Sequence, residues 1–146
     1  MLILGPSGSG KTTLLCLLAA LQKPTSGIIK YDDIDINQLK PFEMDKFRGQ
    51  NLGIIFQNYH LINSLNVYQN IAIASKITPK KVDHNQIIDH LEQLGLKDKA
   101  KQKTSTLSIG QAQRLAVIRS LINNPKWILC DEPTSALDVC KNHYLI

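Results

Sequence analysis

Near the start of the chain, the run Gly5-Pro6-Ser7-Gly8-Ser9-Gly10-Lys11-Thr12 constrains the fold more than any other feature. It satisfies G-x-x-x-x-G-K-[ST] at every fixed position and stands between a strand pattern and a helix pattern, the setting in which that spacing has a mechanism. Residues 1–4 are apolar and stopped by glycine, which predicts a short buried strand. Over residues 11–22 the apolar side chains Leu14, Leu15, Leu17, Leu18 and Leu21 fall nearly all round, which predicts a buried helix ended by Pro24. Glycines let backbone N–H groups turn inward, and the helix points its positive end at whatever they enclose. Phosphate oxygens are the matching ligand. Gly5 through Thr13 form the candidate phosphate-binding set, with Lys11 as a compact cation and Thr12 as a hydroxyl for Mg²⁺.

Further along, turn residues Pro24-Thr25-Ser26-Gly27 lead into a strand expected over residues 28–31. A second strand is expected over residues 52–56. Ile87, Ile88, Leu91 and Leu94 mark one helical stripe with Gly95 as its stop, and Leu115, Ile118, Leu121 and Ile122 mark another. Residues 127–130 form a last apolar strand. Strands alternating with helices predict an α/β fold with a mostly parallel sheet.

That last strand delivers Asp131 and Glu132 at its C-terminal end, where ligands bind in open α/β sheets. Asp131 suits Mg²⁺ coordination, directly or through water. Glu132 suits polarisation of a water for attack on a γ-phosphate. Lys11 and Asp131 are separated by much more than one βαβ step of ~30 residues, so a sizeable segment is inserted between the two halves of the site.

Composition narrows the rest. The 146 residues carry a formal net charge of +5, compatible with an anionic ligand. There is no aromatic-basic stripe, so no nucleic-acid partner is expected. The longest apolar run, residues 14–21, is well short of the ~18–20 residues of a bilayer span, and no leader pattern opens the chain. Cys16, Cys130 and Cys140 have no metal-site spacing and are expected to be unpaired thiols in a reducing compartment.

The inserted segment carries a resemblance. Leu107-Ser108-Ile109-Gly110-Gln111, followed by Arg114, resembles the LSGGQ signature of ABC ATPases. Gln57 is similar to their Q-loop glutamine, and Ser135-Ala136-Leu137-Asp138 to their D-loop. The stretch from Phe56 to Leu61, with Asn66 to Asn70 beyond it, most resembles the subgroup of macrolide and lipoprotein exporters and the cell-division ATPase.

The resemblance implies a P-loop NTPase fold. Its RecA-like core would comprise residues 1–57 and 125–146, with a helical subdomain at 58–124. It implies an ATP- and Mg²⁺-dependent ATPase subunit, peripheral at the cytoplasmic face of the inner or plasma membrane, working with a transmembrane permease. It also implies a head-to-tail dimer, in which Ser108, Gly110 and Gln111 of one protomer reach the nucleotide of the other. Glu132 and Gln57 would be catalytic; Thr12, Gln57 and Asp131 would serve the metal.

Three departures accompany it. Ile109 replaces a glycine, and a β-branched residue forced to φ > 0 would be strained. No aromatic residue precedes the phosphate loop to stack on adenine. His143 lies too close to Asp138 to be the family's switch histidine. The resemblance therefore implies a chain truncated at both ends, with an incomplete central sheet, and a non-catalytic nucleotide-binding remnant as the alternative to a working ATPase.

Overall fold

The computed structural model describes residues 2–78 and 82–131. Glu132, the D-loop residues 135–138, Cys140 and His143 lie outside that range.

The insert is built from helices whose starts are written in the sequence. α3 (Val67–Ser75), α4 (His84–Gln93) and α5 (Ile109–Leu121) each open with a capping box. Side-chain oxygens of Asn66, Asp83 and Ser108 accept the N–H of Gln69, Gln86 and Gln111. Those glutamines accept the cap residue's own N–H in return. Orphan donors at each helix start are thereby satisfied in pairs.

Their apolar faces then meet. Val67, Ile71, Ile87, Leu91, Leu96, Leu115, Ile118 and Ile122 form one buried cluster, and full burial of such a side chain is worth roughly 1.5–3 kcal/mol. Both expected stripes are present, and Gly95 follows α4 at φ 66°.

The core is organised by a parallel pair. β3 (Leu52–Ile55) runs beside β4 (Trp127–Cys130), in register from Leu52↔Trp127 to Ile55↔Cys130. α5 lies across β3, where Ile55, Val117 and Leu121 cluster. The approach is close: a Cβ on Gly53 would meet the Ser120 carbonyl oxygen at 2.7 Å, so only glycine fits there.

A second cluster holds the other side. Tyr31, Phe47 and Trp127 pack at ring-centroid separations of 4.7–6.4 Å, joined by Ile36 and Leu52. The Tyr31 hydroxyl donates to the Leu18 carbonyl at 2.7 Å, and burial pushes its phenol above the usual pKa. α2 (Pro41–Asn51) supplies Phe47 and was not legible as a stripe. It is mostly polar and starts instead on Pro41 at its first position and a Lys40 N–H to Glu43 bond of 2.9 Å.

Three expectations are corrected. Residues 2–4 form no ladder, and Leu2 and Leu4 are 74% and 82% exposed, because no described strand lies beside them and a lone extended segment has no partner for its backbone. α1 spans Lys11–Leu18 and stops short of Gln22. At its end Ala20 turns to φ 55°, the Leu21 N–H donates back to the Cys16 carbonyl at 2.9 Å, and the Ala20 carbonyl is held by Arg48 Nη1 at 2.6 Å. α1 is also only partly covered, with Leu15 buried and Leu14 and Leu21 exposed. The strand expected at 28–31 shrinks to β1 (Lys30–Tyr31), which turns through Asp32 at φ 52° to pair antiparallel with β2 (Ile34–Asp35).

Candidate functional site

The phosphate loop is an open cradle at the start of α1. Gly8 and Gly10 adopt φ of 80° and 86°, which glycine tolerates without strain. A Cβ at Gly5 would press against Ser9 Oγ at 2.8 Å, so a larger residue there would make the Ser9 side chain shift. Gly10 is the cap residue of α1, with no side-chain cap and no acidic residue in the first turn. The helix therefore presents free N–H groups and a positive dipole end to the space inside the loop.

Lys11 is satisfied within its own loop. Its Nζ donates to the carbonyls of Gly5 at 2.9 Å and Pro6 at 2.8 Å, with Ser9 Oγ at 3.4 Å. These neutral acceptors are weaker partners for an ammonium than phosphate oxygens would be. Pro6, Ser7 and Thr13 complete the exposed loop and helix start.

The two halves of the site meet through Thr12 and Asp131. Thr12 Oγ1 donates to Asp131 Oδ2 at 2.7 Å, across nearly the whole length of the sequence. Asp131 is carried there by β4, and its N–H donates to the Ile55 carbonyl at 2.9 Å, continuing the ladder one step past Cys130. Gln57 follows β3 on the same edge of the parallel pair, so it and Asp131 leave the sheet on one side. A hydroxyl and a carboxylate in contact beside an anion cradle match the oxygen donors Mg²⁺ takes when it also holds phosphate. The residues present thus fit a magnesium nucleotide.

The signature residues stand apart from this group. Ser108 caps α5, and its bonds with Gln111 close within the cap at 3.3 Å and 3.0 Å. Ser108 and Gly110 are exposed, and no described hydrogen bond joins Ser108, Gly110 or Gln111 to residues 5–13. The anticipated strain at Ile109 is absent. Ile109 is the first helical residue of α5, is not among the residues with positive φ, and is 80% exposed. A helical backbone there accepts any L side chain, so the replaced glycine costs the chain no distortion.

Two polar residues escaped the sequence reading. Asn70 is fully buried on α3, and its side chain bonds the backbone of Ile62, Leu65 and Asn66. Arg119, on α5, donates to the carbonyls of Tyr59 and His60, each at 2.6 Å, and burial lowers its guanidinium pKa. A polar residue interrupting an apolar stripe was the available signal for both.

Among the described residues no helix is long and apolar enough to cross a membrane. A phosphate loop joined to an acidic strand, with a capped signature helix in the insert, defines an ABC-type nucleotide-binding cassette, and the comparisons agree. The ABC transporter family profile matches residues 1–135, and the chain belongs to that family. It is 41% identical to an uncharacterized ABC transporter ATP-binding protein, YvrO, of Bacillus subtilis, over 99% of this chain and 64% of that protein. It is 44% identical to the lipoprotein-releasing system ATP-binding protein LolD of Buchnera aphidicola, over 93% of this chain and 60% of that one. The dimeric post-hydrolysis structure of the ATP-binding cassette MJ0796, bound to ADP and Pi, superposes with a TM-score of 0.81 at 36% identity. That match covers 90% of this chain and 60% of the other. The chain thus spans less than two thirds of the length of these relatives.

Proposed function

We propose that this chain is the ATPase subunit of an ABC transporter, binding Mg-ATP and hydrolysing it to ADP and phosphate to drive a transmembrane permease. The observation that carries the reading is the Thr12–Asp131 contact of 2.7 Å, which joins the phosphate cradle to the acidic strand.

In this reading the backbone N–H groups of Ser7 to Thr13 surround the β- and γ-phosphates, with Gly5 and Pro6 shaping the loop, and Lys11 exchanges the Gly5 and Pro6 carbonyls for phosphate oxygens. Thr12 and Asp131 would hold Mg²⁺, with Gln57 at the same sheet edge. When bound, Mg²⁺ neutralises charge on the phosphate oxygens. Glu132 accepts a proton from the attacking water, and Gln57 orients that water. Attack at the γ-phosphorus breaks its bond to the β–γ bridging oxygen, which leaves with ADP.

Ser108 and Gly110 are exposed and Gln111 half-buried on an otherwise self-contained cap, a placement that suits contact with a second protomer's nucleotide in a head-to-tail dimer. The permease then places the subunit at the cytoplasmic membrane face. The core at residues 1–57 and 125–146 would move against the helical subdomain at 58–124.

The test is Mg-ATP binding and phosphate release by the purified chain, with Glu132→Gln alongside. Saturable binding, with phosphate release lost in the variant and binding kept, is the expected result. A chain that binds no Mg-ATP overturns the reading, and one that binds without turnover leaves only a nucleotide-binding module.

A further inference from the structure

The segment that carries Gln57 is pinned at both ends, by the β3–β4 ladder at its start and by α5 at its far end. At its start, β3 is laddered to β4, and the Asp131 N–H reaches the Ile55 carbonyl at 2.9 Å. At its far end, His60 turns to φ 46°, and its ring meets Phe56 edge-on at a centroid separation of 5.2 Å. The carbonyls of Tyr59 and His60 then point at one guanidinium, that of Arg119, each at 2.6 Å. Arg119 lies on α5, eleven residues beyond Ser108, which is about 16 Å along a helix.

We infer that Arg119 is a positioning residue that ties the Gln57 segment to the signature helix, so that a shift of α5 is delivered to Gln57. The catalytic consequence rests on the ATPase reading; the tie itself does not. Among the described residues no carboxylate pairs with Arg119, and its two backbone contacts are the hydrogen bonds just named. A half-buried cation satisfied by neutral carbonyls is a costly way to fill space on a helix whose neighbours Leu115, Ile118 and Ile122 are apolar, so the contact is better explained by what it holds. The planar fork matters: two N–H groups in one plane meet two successive carbonyls, and a lysine ammonium, a single point charge, cannot reproduce that pairing.

Hydrogen exchange of the nucleotide-free chain reads the tie directly in Arg119→Lys and, more severely, Arg119→Met. Amides of residues 57–61 should exchange about tenfold faster while those of α3 and α4 keep their protection. Steady-state kinetics read the consequence: kcat should fall about tenfold with KM for Mg-ATP within about twofold of the parent. Unchanged exchange at 57–61 overturns the proposal. So does a loosened segment in a variant that turns over at the parent rate, or a loss of protection spread evenly over α3, α4 and α5, which would mark a merely structural arginine. If the parent itself releases no phosphate, the ATPase reading fails, and the exchange measurement alone still decides the tie.

Discussion

Replacing Asn70 by leucine tests whether the loop after Gln57 is held by one buried amide. Leucine is nearly isosteric, so no cavity term enters, and the cost comes from hydrogen bonds alone. The Asn70 amide donates to the carbonyls of Ile62 at 3.1 Å, Leu65 at 3.4 Å and Asn66 at 3.1 Å, and its oxygen accepts the Ile62 N–H at 2.8 Å. The three carbonyls each keep another donor. Thr104 Oγ1 reaches Ile62 and Leu65, and the Asn70 backbone N–H still serves Asn66. Only the Ile62 N–H is orphaned, at ~1–3 kcal/mol, and weakening the three shared acceptors adds about half of one neutral bond each, for a total of about 2–5 kcal/mol. Against a domain stability of ~5–15 kcal/mol this is a large fraction, and urea denaturation resolves it as a lower midpoint at unchanged slope. A variant within ~0.5 kcal/mol of the parent would refute the reasoning, because water or a rearranged loop would then be satisfying the Ile62 N–H.

Lys11→Ala should weaken Mg-ATP binding by about 10- to 100-fold in calorimetry, the worth of a charge-assisted bond, while leaving the fold intact because all its bonds lie within residues 5–9. Leu91→Ala, at a position with 0% exposure in the helical cluster, should cost ~2–5 kcal/mol in chemical denaturation. Ile109→Gly should change stability by less than ~1 kcal/mol and in the destabilising direction. A clear rise in thermal midpoint on that substitution would reveal strain that the helical backbone at Ile109 rules out.

The phosphate loop, the helical stripes of α4 and α5 and the strands at 52–55 and 127–130 were legible because each depends on a local pattern: spacing, period and stop signals. The capping boxes at Asn66, Asp83 and Ser108 are local in the same sense. Other features were not. Residues 2–4 and α1 were expected to be buried, but apolarity states only what a segment prefers, and burial needs a neighbour to supply it. At the early end of α1 the Ala20 carbonyl meets Arg48 from another helix, a contact no local pattern announces.

By itself the sequence determined the chemistry on offer: a glycine loop with a lysine and a threonine, an acidic strand end, and a serine-capped helix between them. Tertiary structure decided which of these meet. It set Thr12 against Asp131, left Ser108 and Gly110 exposed with no described hydrogen bond to the phosphate loop, and set Arg119 on the Gln57 segment. Periodicity runs along the chain and carries local preferences, whereas these pairings depend on strand register and helix packing between segments tens of residues apart, which no local pattern encodes.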